Sequence, residues 1–298
     1  MPRLKIHHTE NILSSTTCDC DCLIVVFIIT IIATWLDSMA LPRIKSLPDE
    51  AFYIPNFITC DEEERLLHKI NSASLPRWTH LSHRRLQTWP SALTQSSNTL
   101  LASPLPSWLL NPVISPRFDD LGTFLDAPHG APNHVLINEY LPGQGIMPHE
   151  DGAAYYPLVA TVSLGAPIVL DVYEKRQQKS CSDGGEQLER EAEEQDEHGG
   201  KKQENWGWKQ PRFRILQEPR SLLITTKEMY TDFLHGIAER HRDENLNAEA
   251  VNNWDLLGEK ERYECGSYER QTRVSLTYRD VLKVAKLGNS IKLLNAKG

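Results

Sequence analysis

An imidazole and a carboxylate stand two positions apart in the segment Pro148-His149-Glu150-Asp151, which follows a glycine-rich turn. On an extended backbone alternate side chains point to the same side, so His149 and Asp151 face together while Glu150 points away. Such a pair supplies two ligands of the 2-His-1-carboxylate arrangement that holds non-haem Fe(II) and leaves positions open for substrate chemistry. The third ligand must then be a distant histidine.

His235 is the best candidate for that third ligand. It follows the apolar pair Phe233-Leu234 and precedes Gly236, a pattern that indicates a rigid strand end or turn. The alternative is a core histidine whose ring is satisfied by ordinary hydrogen bonds. The tripeptides that start at His8 and His241 also have the H-x-D/E pattern, but only His149 lies at the end of a strand pattern beside a tight turn.

The segment from Arg273 to Arg279 has the alternation of a β-strand that carries guanidinium groups on one face. A buried arginine needs a carboxylate or phosphate partner, so this strand predicts a site for a small anion inside the fold. The alternative is an exposed face with a solvated arginine at each end. The residues expected on the guanidinium face are Arg273, Ser275, Thr277 and Arg279.

Asn138 and Tyr140 share one face of a predicted strand that runs from His134 to Tyr140. Their amide and phenol groups can donate hydrogen bonds to a buried carboxylate, although a strand end with ordinary polar residues would look the same. One anion held by Arg273, Asn138 and Tyr140, with a metal at its other end, explains these features together. A five-carbon keto diacid fits such a site.

The remaining pattern favours a mainly β fold with helices at its edge. Thr59 and Glu62 have the spacing of a capping box before a helix. Many short strands with turn signals and no βαβ alternation indicate a barrel or sandwich core. Besides the strands above, we predict strands over 52–58, 159–164, 168–173, 213–216 and 221–225.

Charge and cysteine content limit the classes of function. The 298-residue chain has a formal net charge of −8, but segments 1–38 and 174–211 carry much of it, and the rest has a net charge of −3. The folded part therefore lacks the broad positive field of a strong duplex-binding protein, while a local basic patch stays possible. The six cysteines do not form a disulfide framework, and the crowded Cys18, Cys20 and Cys22 are a weak metal signal.

The chain is predicted to consist of a core and several peripheral segments. Residues 1–38 form an N-terminal extension whose apolar run from Leu23 to Leu36 is shorter than a spanning helix. This run has three interpretations: a membrane anchor, a signal-peptide core, or an optional extension before Met39. The other predicted segments are an N-terminal helix and substrate-lid region at 45–130, the core at 131–285 with polar insertions at 174–211 and 239–271, and a tail at 286–298.

Three motifs together resemble the AlkB family of Fe(II)- and 2-oxoglutarate-dependent dioxygenases. They are the run from Leu136 to Gly143, the tripeptide His149-Glu150-Asp151, and Arg273 to Arg279 as R-x-x-x-T-x-R. The stretches 145–152 and 234–238, with Tyr155-Tyr156-Pro157, are most similar to the AlkB homolog six branch. The resemblance covers residues 45–285. The extension and the two insertions depart from the family pattern without interrupting a motif.

The resemblance implies a double-stranded β-helix, or jelly roll, with His149, Asp151 and His235 on iron. It also implies that 2-oxoglutarate is surrounded by Asn138, Tyr140, Arg273, Thr277 and Arg279, with Arg273 on the distal carboxylate. In the chemistry of this family, O2 and 2-oxoglutarate are converted to succinate and CO2 while a substrate C–H bond is hydroxylated. An N-methyl group so oxidised is lost as formaldehyde, which is the demethylase activity.

The substrate is open between a modified nucleic acid and a protein side chain. The stretch from Arg77 to Trp89 is rich in cations and has two tryptophans, which could contact phosphates and stack on an extruded base. Alternatively, Trp78 and Trp89 are buried against the core. A jelly-roll binding module with little or no turnover is the other functional hypothesis. We expect a monomer in the cytoplasm and nucleus, with no firm membrane association.

Overall fold

Short runs of apolar and β-branched side chains form two sheets that enclose a cavity. The computed structural model describes residues 41–48, 50–94, 96–175 and 210–286. A seven-stranded major sheet has the order β1-β10-β7-β14-β5-β3-β2, and a four-stranded minor sheet has the order β6-β11-β8-β9. Their strands are β1 Ala51–Ile54, β2 Thr79–Leu81, β3 Arg84–Trp89, β5 His134–Tyr140, β6 Ile146–His149, β7 Leu158–Leu164, β8 Ile168–Glu174, β9 Phe213–Gln217, β10 Leu222–Thr226, β11 Phe233–Ile237 and β14 Arg273–Arg279.

The order in which the chain visits the two sheets is that of a double-stranded β-helix. From β5 to β8 the strands alternate between major and minor sheet, β9 stays in the minor sheet, and β10, β11 and β14 alternate again. Every pairing within the two sheets is antiparallel. Strands that cross repeatedly between two facing antiparallel sheets make a jelly roll. The predicted fold class is therefore confirmed.

Helices and minor strands surround this core. Helix α1 spans Cys60–Asn71 and starts with the predicted capping box, in which Thr59 and Glu62 bond each other's backbone N–H. Strand β1 stops at Ile54, earlier than predicted, because Pro55 cannot extend the ladder and Asn56 has a φ of 49°. The other elements are β4 Leu100–Leu101, β12 Arg242–Glu244, β13 Ser267–Glu269, β15 Val284–Ala285 and helical turns at Leu75–Arg77, Ser107–Leu109, Leu110–Phe118, Asp119–Leu121, Glu228–Thr231, Trp254–Leu256 and Lys260–Tyr263.

A helical layer covers the outer face of the major sheet. On β14, the ring of Tyr278 packs edge-on against Phe118 at 5.3 Å, and its hydroxyl donates to the carbonyl of Leu109 at 3.2 Å. Because side chains alternate along a strand, this contact turns Arg273 and Arg279 to the opposite face, toward the cavity. The helical layer thus fixes which face of the central strand looks inward.

The segment 239–271, predicted as a polar insertion, is part of the fold. Its Leu246, Val251 and Tyr263 belong to a buried apolar cluster with β8 and β9 of the minor sheet. Asp243 accepts two hydrogen bonds of 2.8 Å from Arg270, and both side chains are almost fully buried. The sequence misled because the apolar residues are widely spaced and the most conspicuous polar ones form a buried ion pair.

The extension 1–38, the cysteines Cys18, Cys20 and Cys22, and nearly all of 174–211 and 286–298 lie outside the described residues. Apart from Leu41, the described residues belong to one compact unit that begins at Pro42. Within the described ranges, no helix has the length and apolar character needed to cross a membrane.

The buried pair in segment 239–271 generates a stability prediction. Asp243→Ala leaves Arg270 buried without its carboxylate, which costs about 3–5 kcal/mol. We expect a clearly lower denaturation midpoint in urea. As a control, Glu269→Ala removes the exposed partner of Arg242 in the same β12–β13 ribbon. Such a surface pair contributes about 0–1 kcal/mol. Equal midpoints for the two variants would contradict the structural role of the segment.

Candidate active site

All eight predicted site residues line one cavity between the two sheets. The cavity has a volume of about 230 Å³, and both sheets contribute to its wall. Its apolar lining includes Val159 and Leu223 from the major sheet and Ile146, Leu170 and Val172 from the minor sheet. The predicted residues in its wall are Asn138, Tyr140, His149, Asp151, His235, Arg273, Thr277 and Arg279.

The register of β6 and β11 brings the two predicted histidines together. His149 is the direct antiparallel partner of His235, and the centroids of their rings are 4.5 Å apart. The strands approach closely because Gly236 has no side chain. An added Cβ there would lie 3.0 Å from the carbonyl oxygen of Ile146. Two residues 86 positions apart in the chain thus form one histidine pair.

A hydrogen bond at Nδ1 of His149 fixes the tautomer of its ring. Its Nδ1 lies 2.9 Å from the carbonyl oxygen of Met147, which can only accept, so Nδ1 carries the proton. Nε2 then keeps its lone pair. Burial, and next the neighbouring His235, lower the pKa of His149 to about 4. The ring is therefore neutral near neutral pH, as a metal ligand requires.

Asp151 lies between His235 and Arg279. Its Oδ2 is 3.7 Å from Nε2 of His235, and its Oδ1 accepts a hydrogen bond of 2.8 Å from Nη1 of Arg279. Burial alone would raise the pKa of Asp151, but the charges of His235 and Arg279 outweigh it and hold the pKa below its ordinary value. Asp151 is thus an ionised carboxylate.

The donor set fits a divalent iron in type. As the side chains stand in the described residues, no three His, Cys, Asp or Glu groups are close enough to enclose a metal ion. Ligand atoms at about 2.1 Å from one metal are about 3 Å apart when they occupy adjacent octahedral positions. The 3.7 Å between Asp151 and His235 exceeds this by less than 1 Å, which a small turn of the carboxylate can close. Two imidazoles and one carboxylate are the ligands of a facial triad.

Arg273 provides a buried positive charge elsewhere in the same cavity. Only 3% of the residue is exposed. Its Nη2 donates to Ser163 Oγ at 2.9 Å and to Gln217 Oε1 at 3.0 Å, whereas its Nε has no partner among the residues that the structure describes. Burial lowers the pKa of Arg273 to about 10, so the group stays charged at neutral pH. No carboxylate of the described residues pairs with it, and such a cation favours an anionic ligand.

Asn138 and Tyr140 face the cavity from β5, beside β14. Asn138 accepts a hydrogen bond of 3.3 Å from Nε of Arg84 through Oδ1, so its NH2 group is left to donate elsewhere. Burial raises the pKa of Tyr140, which keeps its hydroxyl protonated and able to donate. The guanidinium of Arg273 lies 5.8 Å from the centre of the Tyr140 ring. These donors and the cation surround the space that a carboxylate would need.

Thr277 and Arg279 complete the face of β14. The Arg279 guanidinium lies 4.1 Å from the Tyr155 ring centre, and its Nε has no partner in the described residues. The sequence assigned Arg279 to the cosubstrate and did not predict its ion pair with Asp151. This arginine therefore contacts the candidate metal ligands while it lines the cavity.

Sequence reasoning missed three polar side chains that contact predicted site residues. Ser163 and Gln217 hold Arg273, and each is a polar residue at the end of an apolar, buried strand. A polar residue near the end of an apolar strand is visible in the sequence, so Ser163 and Gln217 could have been proposed as partners of a buried group. Arg84, which bonds Asn138, had no such signal because the surrounding stretch 77–89 is rich in cations throughout.

The stretch 77–89 forms an edge hairpin of the major sheet. β2 pairs with β3, and β3 pairs with β5. Trp78 is buried and lies under the guanidinium of Arg85 at 4.0 Å, while Arg77 covers the ring of Trp89 at 3.8 Å. Arginines of the chain itself therefore already stack on both rings that were candidates for base stacking, which favours the alternative interpretation of these tryptophans.

Comparisons with known proteins show which family the chain belongs to. The sequence model of a family described as the 2OG-Fe(II) oxygenase superfamily matches residues 50–279. A Danio rerio protein named "Probable RNA/DNA demethylase ALKBH6" is 37% identical over 243 residues, which are 82% of this chain and 90% of that protein. "Uncharacterized protein L905" of Acanthamoeba polyphaga mimivirus is 25% identical over 77% of this chain and 84% of its own length. "The structure of OsALKBH1" covers 78% of this chain and 99% of that one, with 12% identity and a TM-score of 0.44.

The family match spans most of the described core, and the Danio rerio relative is similar over nearly its whole length. The predicted cofactors, Fe(II), 2-oxoglutarate and O2, are those of this superfamily. The chain therefore belongs to the 2OG-Fe(II) oxygenase superfamily and, within it, to the AlkB family, and it is an Fe(II)- and 2-oxoglutarate-dependent dioxygenase.

Proposed function

We propose that this dioxygenase removes N-methyl groups from nucleic acid, with His149, Asp151 and His235 as iron ligands. Asn138, Tyr140, Arg273, Thr277 and Arg279 then surround 2-oxoglutarate. The observation that carries the proposal is a single cavity that holds both the histidine–carboxylate group and a buried arginine that pairs with no carboxylate of the described residues. The name of the Danio rerio relative supports a nucleic-acid substrate.

In this proposal, one group of cavity residues binds the metal and another binds 2-oxoglutarate. His149 offers a neutral ring with a free Nε2, and Arg279 keeps Asp151 ionised and turned inward. Bound Fe(II) supplies the redox chemistry that O2 and 2-oxoglutarate need. Arg273 attracts the distal carboxylate, while Asn138 and Tyr140 donate hydrogen bonds to the cosubstrate. Val159, Leu170 and Leu223 exclude water from the space between.

Two other functions compete with this proposal. A protein side chain can be hydroxylated or demethylated by the same chemistry, and nothing in the cavity wall itself selects a nucleobase. A binding module with little turnover is less favoured, because binding of an anion alone does not require two imidazoles and a carboxylate in the same cavity. An AlkB-type enzyme acting on nucleic acid would work in the nucleus or cytoplasm, and we propose both places.

The iron ligands are tested by single substitutions. We expect His149→Ala and Asp151→Ala to abolish 2-oxoglutarate turnover in the absence of substrate, while circular dichroism shows an unchanged fold. Glu269→Ala is the control, since Glu269 is an exposed carboxylate of the β12–β13 ribbon and does not line the cavity. Its turnover should stay near that of the wild type. Full activity of the Asp151 variant would rule out the assigned ligand set.

Arg273 is tested by the concentration of 2-oxoglutarate at half-maximal rate. Arg273→Ala removes a charge-assisted pair worth about 1.5–3 kcal/mol, so we expect this concentration to rise on the order of 10- to 100-fold. Arg273→Lys keeps the charge and loses the planar fork. The 2-oxoglutarate concentration at its half-maximal rate should therefore lie between those of the wild type and the alanine variant. An unchanged dependence on 2-oxoglutarate in the alanine variant would refute the role.

The substrate class is tested with matched pairs of polymers. The protein with Fe(II) and 2-oxoglutarate is incubated with oligonucleotides that do or do not carry one N-methylated base, and with methylated and unmethylated peptides. We expect formaldehyde from the methylated oligonucleotides alone. Formaldehyde release from methylated peptides only would show that the substrate is a protein. Equal formaldehyde release with and without the methyl group would contradict the demethylase proposal.

A further inference from the structure

Arg84 is a third arginine of the cavity wall, and the sequence did not assign it. It begins β3, next to the turn that joins β2 to β3, and its side chain is half-buried. The neighbouring Arg85 pairs in register with Glu139, so Arg84 lies alongside the next residue of β5, Tyr140. Arg85 points to the other face of the sheet, where its guanidinium forms hydrogen bonds of 2.6 and 2.7 Å with Glu139. Only Arg84 of this pair lines the cavity.

The guanidinium of Arg84 is only partly used inside the protein. Its Nε donates to Asn138 Oδ1 at 3.3 Å. Because an arginine has only donors, this contact must engage the oxygen of Asn138 and turn its NH2 group toward another acceptor. Among the residues that the structure describes, the two terminal nitrogens of Arg84 have no hydrogen-bond or ion-pair partner. They form a planar fork without an acceptor.

The charges of the cavity wall leave Arg84 without an anion. Arg279 is paired with Asp151, and Glu150, the other carboxylate of the wall, is paired with Lys175. Arg273 is almost fully buried and is the cation for the distal carboxylate of 2-oxoglutarate. Arg84 is more exposed than Arg273 and Arg279 and lies near a turn at the edge of the major sheet. Since the two ends of 2-oxoglutarate are assigned to Arg273 and to the metal in the proposed function, we assign the anion that pairs with Arg84 to the substrate.

We propose that Arg84 binds a backbone phosphate of the nucleic-acid substrate and thereby positions the adjoining base at the cavity. This inference rests on the proposed function, since it takes the substrate to be a nucleic acid. The same side chain orients Asn138, so it is a binding residue for the substrate and a positioning residue for the cosubstrate. The arginine fork matches two phosphate oxygens in one plane.

The surroundings of Arg84 favour phosphate over the carboxylate of a peptide. Arg77 of the same stretch stacks on Trp89 and donates to the carbonyl of Pro90, and it has no carboxylate partner in the described part of the chain. His80 is exposed on β2. A nucleic-acid backbone repeats its charge along the strand and can meet several cations at an edge hairpin, whereas one acidic side chain meets only one.

Binding without turnover gives the direct test. The full chain is loaded with Mn(II) and 2-oxoglutarate, and the Kd is measured at one salt concentration for a trinucleotide with a central N-methylated base. A second trinucleotide has neutral methylphosphonates in place of both phosphates. A charged hydrogen bond contributes about 1.5–3 kcal/mol, so wild type should bind the natural form on the order of 10-fold tighter or more.

The variants separate a phosphate contact from a general charge effect. Arg84→Gln should lose this preference and bind the neutral trinucleotide as the wild type does. Arg84→Lys should restore part of the preference, since it keeps the charge without the fork. Arg242→Gln removes an equal charge from the exposed β12–β13 ribbon and should keep the full preference. Since Arg84 orients Asn138, Arg84→Gln should also raise the 2-oxoglutarate concentration at half-maximal rate a few-fold. This increase should be smaller than that caused by Arg273→Ala.

The outcomes distinguish this inference from the proposed function. If wild type ignores the phosphates, or if Arg84→Gln weakens both trinucleotides equally, Arg84 is not a phosphate site. Tighter, Arg84-dependent binding of an acidic peptide overturns the inference in favour of a protein substrate. If the phosphate preference depends on Arg84 but no methylated nucleic acid releases formaldehyde, the phosphate site stands and the demethylase proposal fails.

Discussion

The pairing of β14 on both sides is the constraint on which the rest of the site depends. This strand lies between β5 and β7 and is antiparallel to both. Its outward residues pack under the helical layer, so its inward face is committed to the cavity along its length. A register slip of one residue would exchange the two faces, turning the arginines outward and apolar residues such as Val274 and Leu276 toward the cavity. The observed register places the buried guanidinium of Arg273 beside Ser163 and Gln217, which accept its hydrogen bonds.

Arg279 makes the two ends of the cavity interdependent. It shares the strand face of Arg273, yet its Nη1 holds Asp151, which belongs to the loop after β6. Asp151 in turn faces His235 on β11 of the minor sheet. The ion pair therefore ties the central strand of the major sheet to the candidate iron ligands of the minor sheet. It also keeps the carboxylate ionised despite burial, which a hydrogen bond from a neutral side chain would do less well.

Local patterns predicted most strands and selected eight residues that line one cavity, and long-range packing accounts for what they missed. The bounds of β5 and β14 agree with the predicted strands, because alternation is strong where one face is apolar and the other polar. The histidine pair could be proposed from residue types, but its register depends on how β6 and β11 meet. Segment 239–271 was misjudged because the burial of Asp243 depends on Arg270, a partner 27 residues away that the local pattern does not reveal. The ion pair of Asp151 with Arg279 spans 128 residues and was missed for the same reason.

Substrate recognition lies where the sequence is least informative and the structure most specific. In the stretch 77–89, composition alone cannot separate cations that serve the fold from one that serves a ligand. The structure separates them by strand face. Arg85 is used by Glu139 and Trp78 on the outer face, whereas Arg84, one residue earlier, reaches Asn138 in the cavity and keeps two nitrogens free of described partners. Since alternate residues of a strand face opposite sides, neighbouring arginines acquire different roles without any difference in chemistry. Under the proposed role of Arg84, recognition of the substrate depends on the register between β3 and β5, and a change in that register would alter recognition while leaving the candidate iron ligands in place.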